Sequence, residues 1–282
     1  MTISKAKNLL IYFFSYLLFL GGFLTSQKTL SLEKEIVFGS VAMDIPAIMY
    51  ERLTPLTDYL SKQLNMPVRL KLSASMSDAI NETAKATVDL SYLTPVAYLK
   101  AHEKGDAQVL VKTITNGKAS FKLMIVVRDD SPIKTIEDLV GKRFAFGDER
   151  ALLQRAAVVS SGITLDKFSG YRFIGHYDNI ARGVLTTDFD AGILKDTMAY
   201  KWQEKGLRIL YQTEALPPYN ITVSNKVEIN LVEKIKNAFL NLDANNPEHL
   251  KIIKALDKKY DGFEATSDSE YDIVRELIKP FN

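Results

Sequence analysis

The stretch 122-KLMIVVRDDSPIKTIEDLVGKRFAFGDE-149 decides how the rest of the chain is read. Leu123–Val127 is an apolar run of strand length. Asp129, Asp130, Ser131 and Pro132 are turn formers. Thr135 is predicted to cap a short helix that carries Glu137 and Asp138 in its first turn and stops at Gly141. Phe144–Phe146 is the next strand, and Gly147 is expected to turn the chain sharply out of it. In an open α/β sheet, ligands bind where a strand's C-terminal end leads through a loop into a helix. The polar residues at that point are Asp148, Glu149 and Arg150.

Outward from this unit the same alternation repeats. Strands are predicted at Ile36–Val41, Val68–Leu72, Val88–Leu93, Val109–Ile114 and Phe121–Val127. Tyr171–Ile174, Ala191–Leu194, Leu207–Tyr211 and Tyr219–Val223 follow. Between them lie helices: one capped by Thr54 with Pro55 at its first position, one over about 77–86, one from Pro95 to Gly105, and others at about 151–161, 178–185 and 196–205. The remainder reads as helical, at about 227–242, 247–259 and 268–278. Strands alternating with helices of about ten residues imply α/β architecture, with mostly parallel sheets flanked by helices.

Composition narrows the function. The hydrophobic share of 46% and charged share of 25% are those of a globular protein. With no cysteine there is no disulfide, no thiol nucleophile and no thiolate-bound metal. Lys5 and Lys7 precede an apolar run from Leu9 to Leu24, and Thr25, Ser26 and Gln27 follow it. That order predicts a secretory signal peptide over residues 1–28, with an uncleaved membrane anchor as the other reading. The chain has 36 basic and 34 acidic residues; residues 1–28 hold three of the basic ones and no acid, leaving 33 against 34. A near-neutral exported domain has no general affinity for nucleic acid. His102, His176 and His249 are far apart, and there is neither H-E-x-x-H nor G-x-S-x-G. No enzyme activity, metal or cofactor is expected.

The run D-S-x-I-x-x-x-x-D-L-x-G-K-R-F-A-F-G, Asp130 to Gly147, resembles the substrate-binding proteins of phosphate/phosphite/phosphonate ABC transporters. The similarity continues through Pro55–Leu60 (PLTDYL), Val88–Pro95 with Tyr98, Phe173–Asp178 (FIGHYD), Phe189–Gly192 (FDAG) and Phe263–Arg275 (FEATSDSEYDIVR). The resemblance implies a two-lobed periplasmic-binding-protein-like (type II) fold. The chain would cross between lobes near Val127–Asp130 and near Thr213–Tyr219. One lobe would then be residues 35–127 plus 219–282 and the other 128–218. It also implies a periplasmic monomer that holds a small solute, phosphonate-like or another small anion or zwitterion, and delivers it to a membrane permease. The alternative on the same fold is a sensing module acting on a membrane signalling partner.

In that family a hydroxyl-rich run follows the F-x-F-G-D strand and grips phosphonate oxygens. Here the position reads Ala151–Leu152–Leu153–Gln154, with no hydroxyl. A carboxylate beside a bound dianion opposes it by about 1 kcal/mol in water and several times that in a closed cleft. Arg150 is expected to offset Asp148 and Glu149 and to grip an oxyanion; a solvated helix start is the plainer reading. Residue by residue, the resemblance carries over to Met76, Tyr92, Thr94, Tyr177 (with His176 as the alternative), Asp196 and Tyr219. Asp190 matches as well but is expected to fix a turn. The predicted lining is therefore Met76, Tyr92, Thr94, Arg150, Tyr177, Asp196 and Tyr219. Such an aromatic wall suits a ligand with an apolar or cationic part and disfavours bare phosphate.

Overall fold

The computed structural model describes residues 34–40 and 45–281. The predicted leader, residues 1–28, lies outside the described residues. The described residues from Glu35 onward group as one compact unit. No helix in them is long and apolar enough to cross a membrane.

Two sheets organise the chain. The first contains β1 (Ile36–Ser40), β2 (Val68–Leu72), β3 (Leu90–Leu93), β4 (Gln108–Thr115), β10 (Asn220–Val223) and β11 (Tyr260–Ala265), in the order β11-β4-β10-β3-β1-β2. The second contains β5 (Leu123–Arg128), β6 (Arg143–Phe146), β7 (Gly170–Phe173), β8 (Ala191–Lys195) and β9 (Leu207–Gln212), in the order β7-β6-β8-β5-β9. β1 pairs parallel with β2 and β3, and β6 pairs parallel with β7 and β8. The strand that first enters each sheet from the other runs backwards. β5 lies antiparallel between β8 and β9, and β10 lies antiparallel between β3 and β4. Leu123, at the start of β5, sits opposite Lys195, at the end of β8. The chain thus enters the second sheet at the edge where its parallel strands end, which forces the reversed direction.

These pairings move the first crossing. β5 belongs to the second sheet throughout, so the chain crosses between Thr115 and Leu123 rather than near Val127–Asp130. The apolar run did not say which sheet it joins, because a fully buried strand reads the same in either. Sheet membership changes again between Gln212 and Asn220. The two connecting segments are bonded side by side: Phe121 N–H donates to the Leu216 carbonyl at 3.0 Å, and Leu216 N–H to the Phe121 carbonyl at 2.8 Å.

Helices α1 (Pro46–Leu64), α2 (Met76–Ala84) and α3 (Pro95–Gly105) follow the first strands. α1 starts nine residues before the predicted Pro55, because Pro46 is the proline at its first turn and Pro55 lies inside it. Met49, Leu53, Leu56 and Leu60 continue one buried face straight through Pro55. That burial outweighs the lost backbone bond. The helix predicted after Thr135 is only a single 3₁₀ turn, Glu137–Leu139. Asp138 Oδ2 accepts from the Lys134 and Thr135 amides, 2.8 and 2.9 Å away, and fixes a tight turn in place of a longer helix.

In the second half lie α4 (Leu152–Ser160), α5 (Tyr177–Leu185) and α6 (Asp196–Gln203). They are followed by α7 (Ile229–Leu240), α8 (Pro247–Leu256) and α9 (Asp272–Ile278). The reading of everything after 227 as helical missed β11, whose Tyr260–Ala265 pairs with β4. Its alternation of buried Tyr260 and Phe263 with Asp261 and Glu264 is short and interrupted by Gly262.

Three cores result. One packs Phe38, Leu53, Leu60, Ile221 and Phe239 around the first sheet. Another packs Met124, Val126, Ile180 and Trp202 on one face of the second. The third is continuous between them, joining Tyr98 of α3, Val274 and Ile278 of α9, and Ala156 and Ala157 of α4 to Phe144 and Phe146. α9 therefore packs on helices of both sheets.

Candidate functional site

The strand ends carry the candidate residues. Thr94, Gly147, Lys195 and Asp196 sit at or just beyond the C-terminal ends of β3, β6 and β8, and Tyr219 immediately precedes the reversed β10. Both sheets thus direct polar and aromatic residues to the edges where ligands bind in open α/β sheets.

Tyrosines dominate this region. The Tyr92 and Tyr219 rings stack with centroids 5.2 Å apart and planes 28° apart. The Tyr92 hydroxyl shares a 2.6 Å hydrogen bond with the Tyr260 hydroxyl. Burial pushes the Tyr92 phenol well above its ordinary value, and Tyr260 and Tyr219 add to the rise. Burial likewise raises Tyr260 to about 12. Tyr219 is raised by burial first and then by the fields of Tyr260, Tyr177, Asp257 and Asp148. Those four are carried by elements of both halves of the fold. Tyr177 is also raised by burial, with Asp196 contributing. Of the two readings at the start of α5, Tyr177 turns inward and His176 is exposed.

Gln154 was missed by sequence reasoning. It is 7% exposed, in the first turn of α4. Its Oε1 accepts the Gly147 amide at 2.8 Å, and its Nε2 donates to the Tyr177 hydroxyl at 3.3 Å. A Cβ on Gly147 would lie 2.9 Å from Gln154 Nε2 and 3.0 Å from the Gly175 carbonyl oxygen. Gly147 is required for space rather than for a left-handed backbone. The loop amide that would face a ligand oxygen is thus occupied by the protein's own side chain. Nothing in a lone glutamine within a helical pattern signals this.

The remaining predicted residues are placed as follows. Thr94 caps α3, its Oγ1 accepting from the Ala97 amide at 3.2 Å. Met76 begins α2 and packs half-buried against the shared core. Both Asp196 oxygens are taken by backbone, Oδ2 by Lys122 N–H at 3.0 Å and Oδ1 by Thr197 N–H at 2.7 Å. Arg150 does not reach inward: its side chain is 76% exposed and folds onto Asp148 at 2.7 Å. That pair holds the Asp148 carboxyl below the usual carboxylate range. Only Glu149 separates the charged residues in a tight turn, so mutual pairing outcompetes the pocket. Asp190 accepts from the Arg143 backbone at 2.8 Å and its guanidinium at 3.0 Å, tying β6 to the turn before β8.

Lys195 is a second residue that the sequence reading passed over. It ends the otherwise apolar strand AGILK with its ammonium 4.8 Å from the centre of the Phe121 ring. Burial lowers its pKa, and it makes no ion pair or hydrogen bond through its side chain among the described residues. It lines a cavity of about 320 Å³ with Thr115, Asn116, Lys118, Ser120, Asp196, Thr197 and Tyr200.

Two α/β sheets flanked by helices and linked by paired crossings are the architecture of the periplasmic-binding-protein class. The chain belongs to the family described as "ABC transporter, phosphonate, periplasmic substrate-binding protein", which matches residues 38–271. It is 22% identical over 291 residues to the Phosphonates-binding periplasmic protein of Escherichia coli, covering 97% of this chain and 84% of that one. Its fold resembles a Xanthomonas citri protein bound to ATP, with a TM-score of 0.71, 19% identity, and 86% and 95% of the two chains covered. It also resembles a Prochlorococcus marinus protein in complex with methylphosphonate, with a TM-score of 0.68, 20% identity, and 88% and 98% covered. The chain is a transport component and not an enzyme.

Proposed function

We propose that the site holds a phosphonate-like solute, or another small anion or zwitterion, for delivery to an ABC permease. The observation that carries this reading is the convergence of Tyr92, Tyr219, Tyr260 and Tyr177 from both halves of the fold. The half-buried Tyr219 and Tyr177 offer ring faces to an apolar or cationic group and hydroxyls to a polar one, backed by the buried Tyr92–Tyr260 pair. The relatives named for phosphonates or solved with methylphosphonate support an oxyanionic ligand class. The altered loop, with Gly147 held by Gln154 and Arg150 held by Asp148, argues against a nest for bare phosphate.

The lobes in this reading are residues 35–115 plus 220–282 and residues 123–212, with the connecting segments acting as the hinge. Residues 1–28 direct export to the periplasm, and the protein acts as a monomer. Closure of the lobes would exclude water and present the surface that a permease reads.

A thermal-shift panel of phosphate, phosphite, methylphosphonate, aminoalkyl phosphonates, amines and carboxylates tests it. A ligand at one hundred times its dissociation constant stabilises by about 2.7 kcal/mol. A phosphonate or zwitterion is expected to give that response with little from plain phosphate, and small-angle scattering is expected to show contraction. No response to any member, with an unchanged scattering profile, refutes the reading.

A further inference from the structure

Several cations of this fold are held by carboxylate partners. Lys112 reaches Glu264 at 3.2 Å and also bonds Glu270. Arg143 is held by Asp190 and Arg150 by Asp148. Lys195 differs. It is adjacent in sequence to Asp196, yet that carboxylate is turned to the backbone amides of Lys122 and Thr197. Its ammonium rests on the Phe121 ring and has no oxygen bonded to it among the described residues.

The surroundings suit an anion. The cavity wall supplies Lys118, the hydroxyls of Thr115, Ser120 and Thr197, the Asn116 amide and the phenol of Tyr200, against the single carboxylate of Asp196. Thr115 Oγ1 is buried with no hydrogen-bond partner. Lys195 and Asp196 also begin α6, whose N-terminus carries partial positive charge. At about 320 Å³ the cavity falls in the size range of small-molecule sites. Asp196 connects it to the tyrosine site, since it lines the cavity and also acts on Tyr177.

We propose that Lys195 is the charged anchor for an oxyanionic group of the solute, a phosphonate, phosphate ester or carboxylate, received in the cavity between the 115–120 segment and the start of α6. This rests on the solute-binding reading above and relocates the anion contact from the loop after β6 to the end of β8. The ammonium gives a point charge, and the threonine and serine hydroxyls donate around it. The low-dielectric setting that depresses the Lys195 ammonium strengthens its attraction for a bound anion.

The test titrates the purified full chain with methylphosphonate, succinate, ethanolamine and 2-aminoethylphosphonate by calorimetry at two salt concentrations. Lys195→Met is compared with Lys195→Arg and with the distant surface control Lys251→Met. Expected is a tenfold or greater loss of affinity for the anionic probes in Lys195→Met, with most affinity kept in Lys195→Arg and all of it in Lys251→Met. Ethanolamine, if it binds, is expected to be unaffected. In parallel, the NMR titration of isotopically dimethylated lysines is expected to show the Lys195 signal moving to higher pKa with the anionic probe, a readout that a purely structural lysine would not give. Equal affinity in Lys195→Met overturns the proposal, as does an unmoved Lys195 titration. Binding of ethanolamine alone overturns the Lys195 role while leaving the solute-binding reading in place; binding of no probe overturns both.

Discussion

Gln154 gives the sharpest test of how the loop after β6 is held. The substitution Gln154→Met keeps the length and most of the volume of the side chain but removes both polar ends. The Gly147 amide, now bonded at 2.8 Å, loses its acceptor in a buried setting. The Tyr177 hydroxyl loses a donor at 3.3 Å. A buried amide left without a partner costs about 1–3 kcal/mol, and the longer second bond adds little. A net loss of about 2 kcal/mol is expected. For a domain of this size that lowers Tm by about 4–8 °C. Urea unfolding should give the free-energy change at constant m-value, and melting by circular dichroism the shift in Tm. A change below about 0.5 kcal/mol at unchanged m would mean that water or another acceptor replaces the amide. The view of Gln154 as the internal occupant of the loop would then be wrong.

Tyr260→Phe removes one partner of the buried Tyr92–Tyr260 hydroxyl pair. A loss of about 1 kcal/mol by urea unfolding is expected, and no loss would mean the pair is not held in solution. The Arg143 guanidinium holds the Asp190 carboxyl below its usual range. The stabilisation from this pair is therefore complete above the unfolded carboxyl's pKa of about 3.9 and is lost as pH falls through the lower folded value. Asp190→Asn should flatten that part of the stability curve below about pH 4, and an identical acid limb in the variant would refute it. A Cβ on Gly105 would lie 1.9 Å from the Ala84 carbonyl oxygen, so Gly105→Ala must push α2 and α3 apart. A loss of about 3 kcal/mol is expected in the same unfolding assay, and a wild-type midpoint would show that the helices separate freely.

The α/β class and most elements were legible because they are local. The apolar run Leu123–Val127 and the Thr94–Pro95 cap each act within a few residues. α3 spans Pro95–Gly105 as the cap and stop residues specified. The family signature also lay in the order of such pieces, which sequence preserves. What failed locally failed for a tertiary reason. Pro55 reads as a helix start, but the face from Met49 to Leu60 packs on the core and carries the helix through it. β11 falls between two predicted helices and went unrecognised, because its pairing with β4 is remote in sequence.

The site divides in the same way. Tyr92 and Tyr219 were named through the family resemblance, and their stacking required the reversed β10 to lie beside β3. Arg150 looked like an oxyanion clamp because charge alone does not show direction; the turn at Asp148 bends it back. Gln154 and Lys195 drew no notice, since a polar residue in a helix and a lysine at a strand end are usually solvated. By itself the sequence determined the elements, their alternation and the class of protein they build. Only the tertiary structure decided which polar groups consume one another and which stay free, because hydrogen bonds and ion pairs between remote residues depend on distances that chain order does not contain.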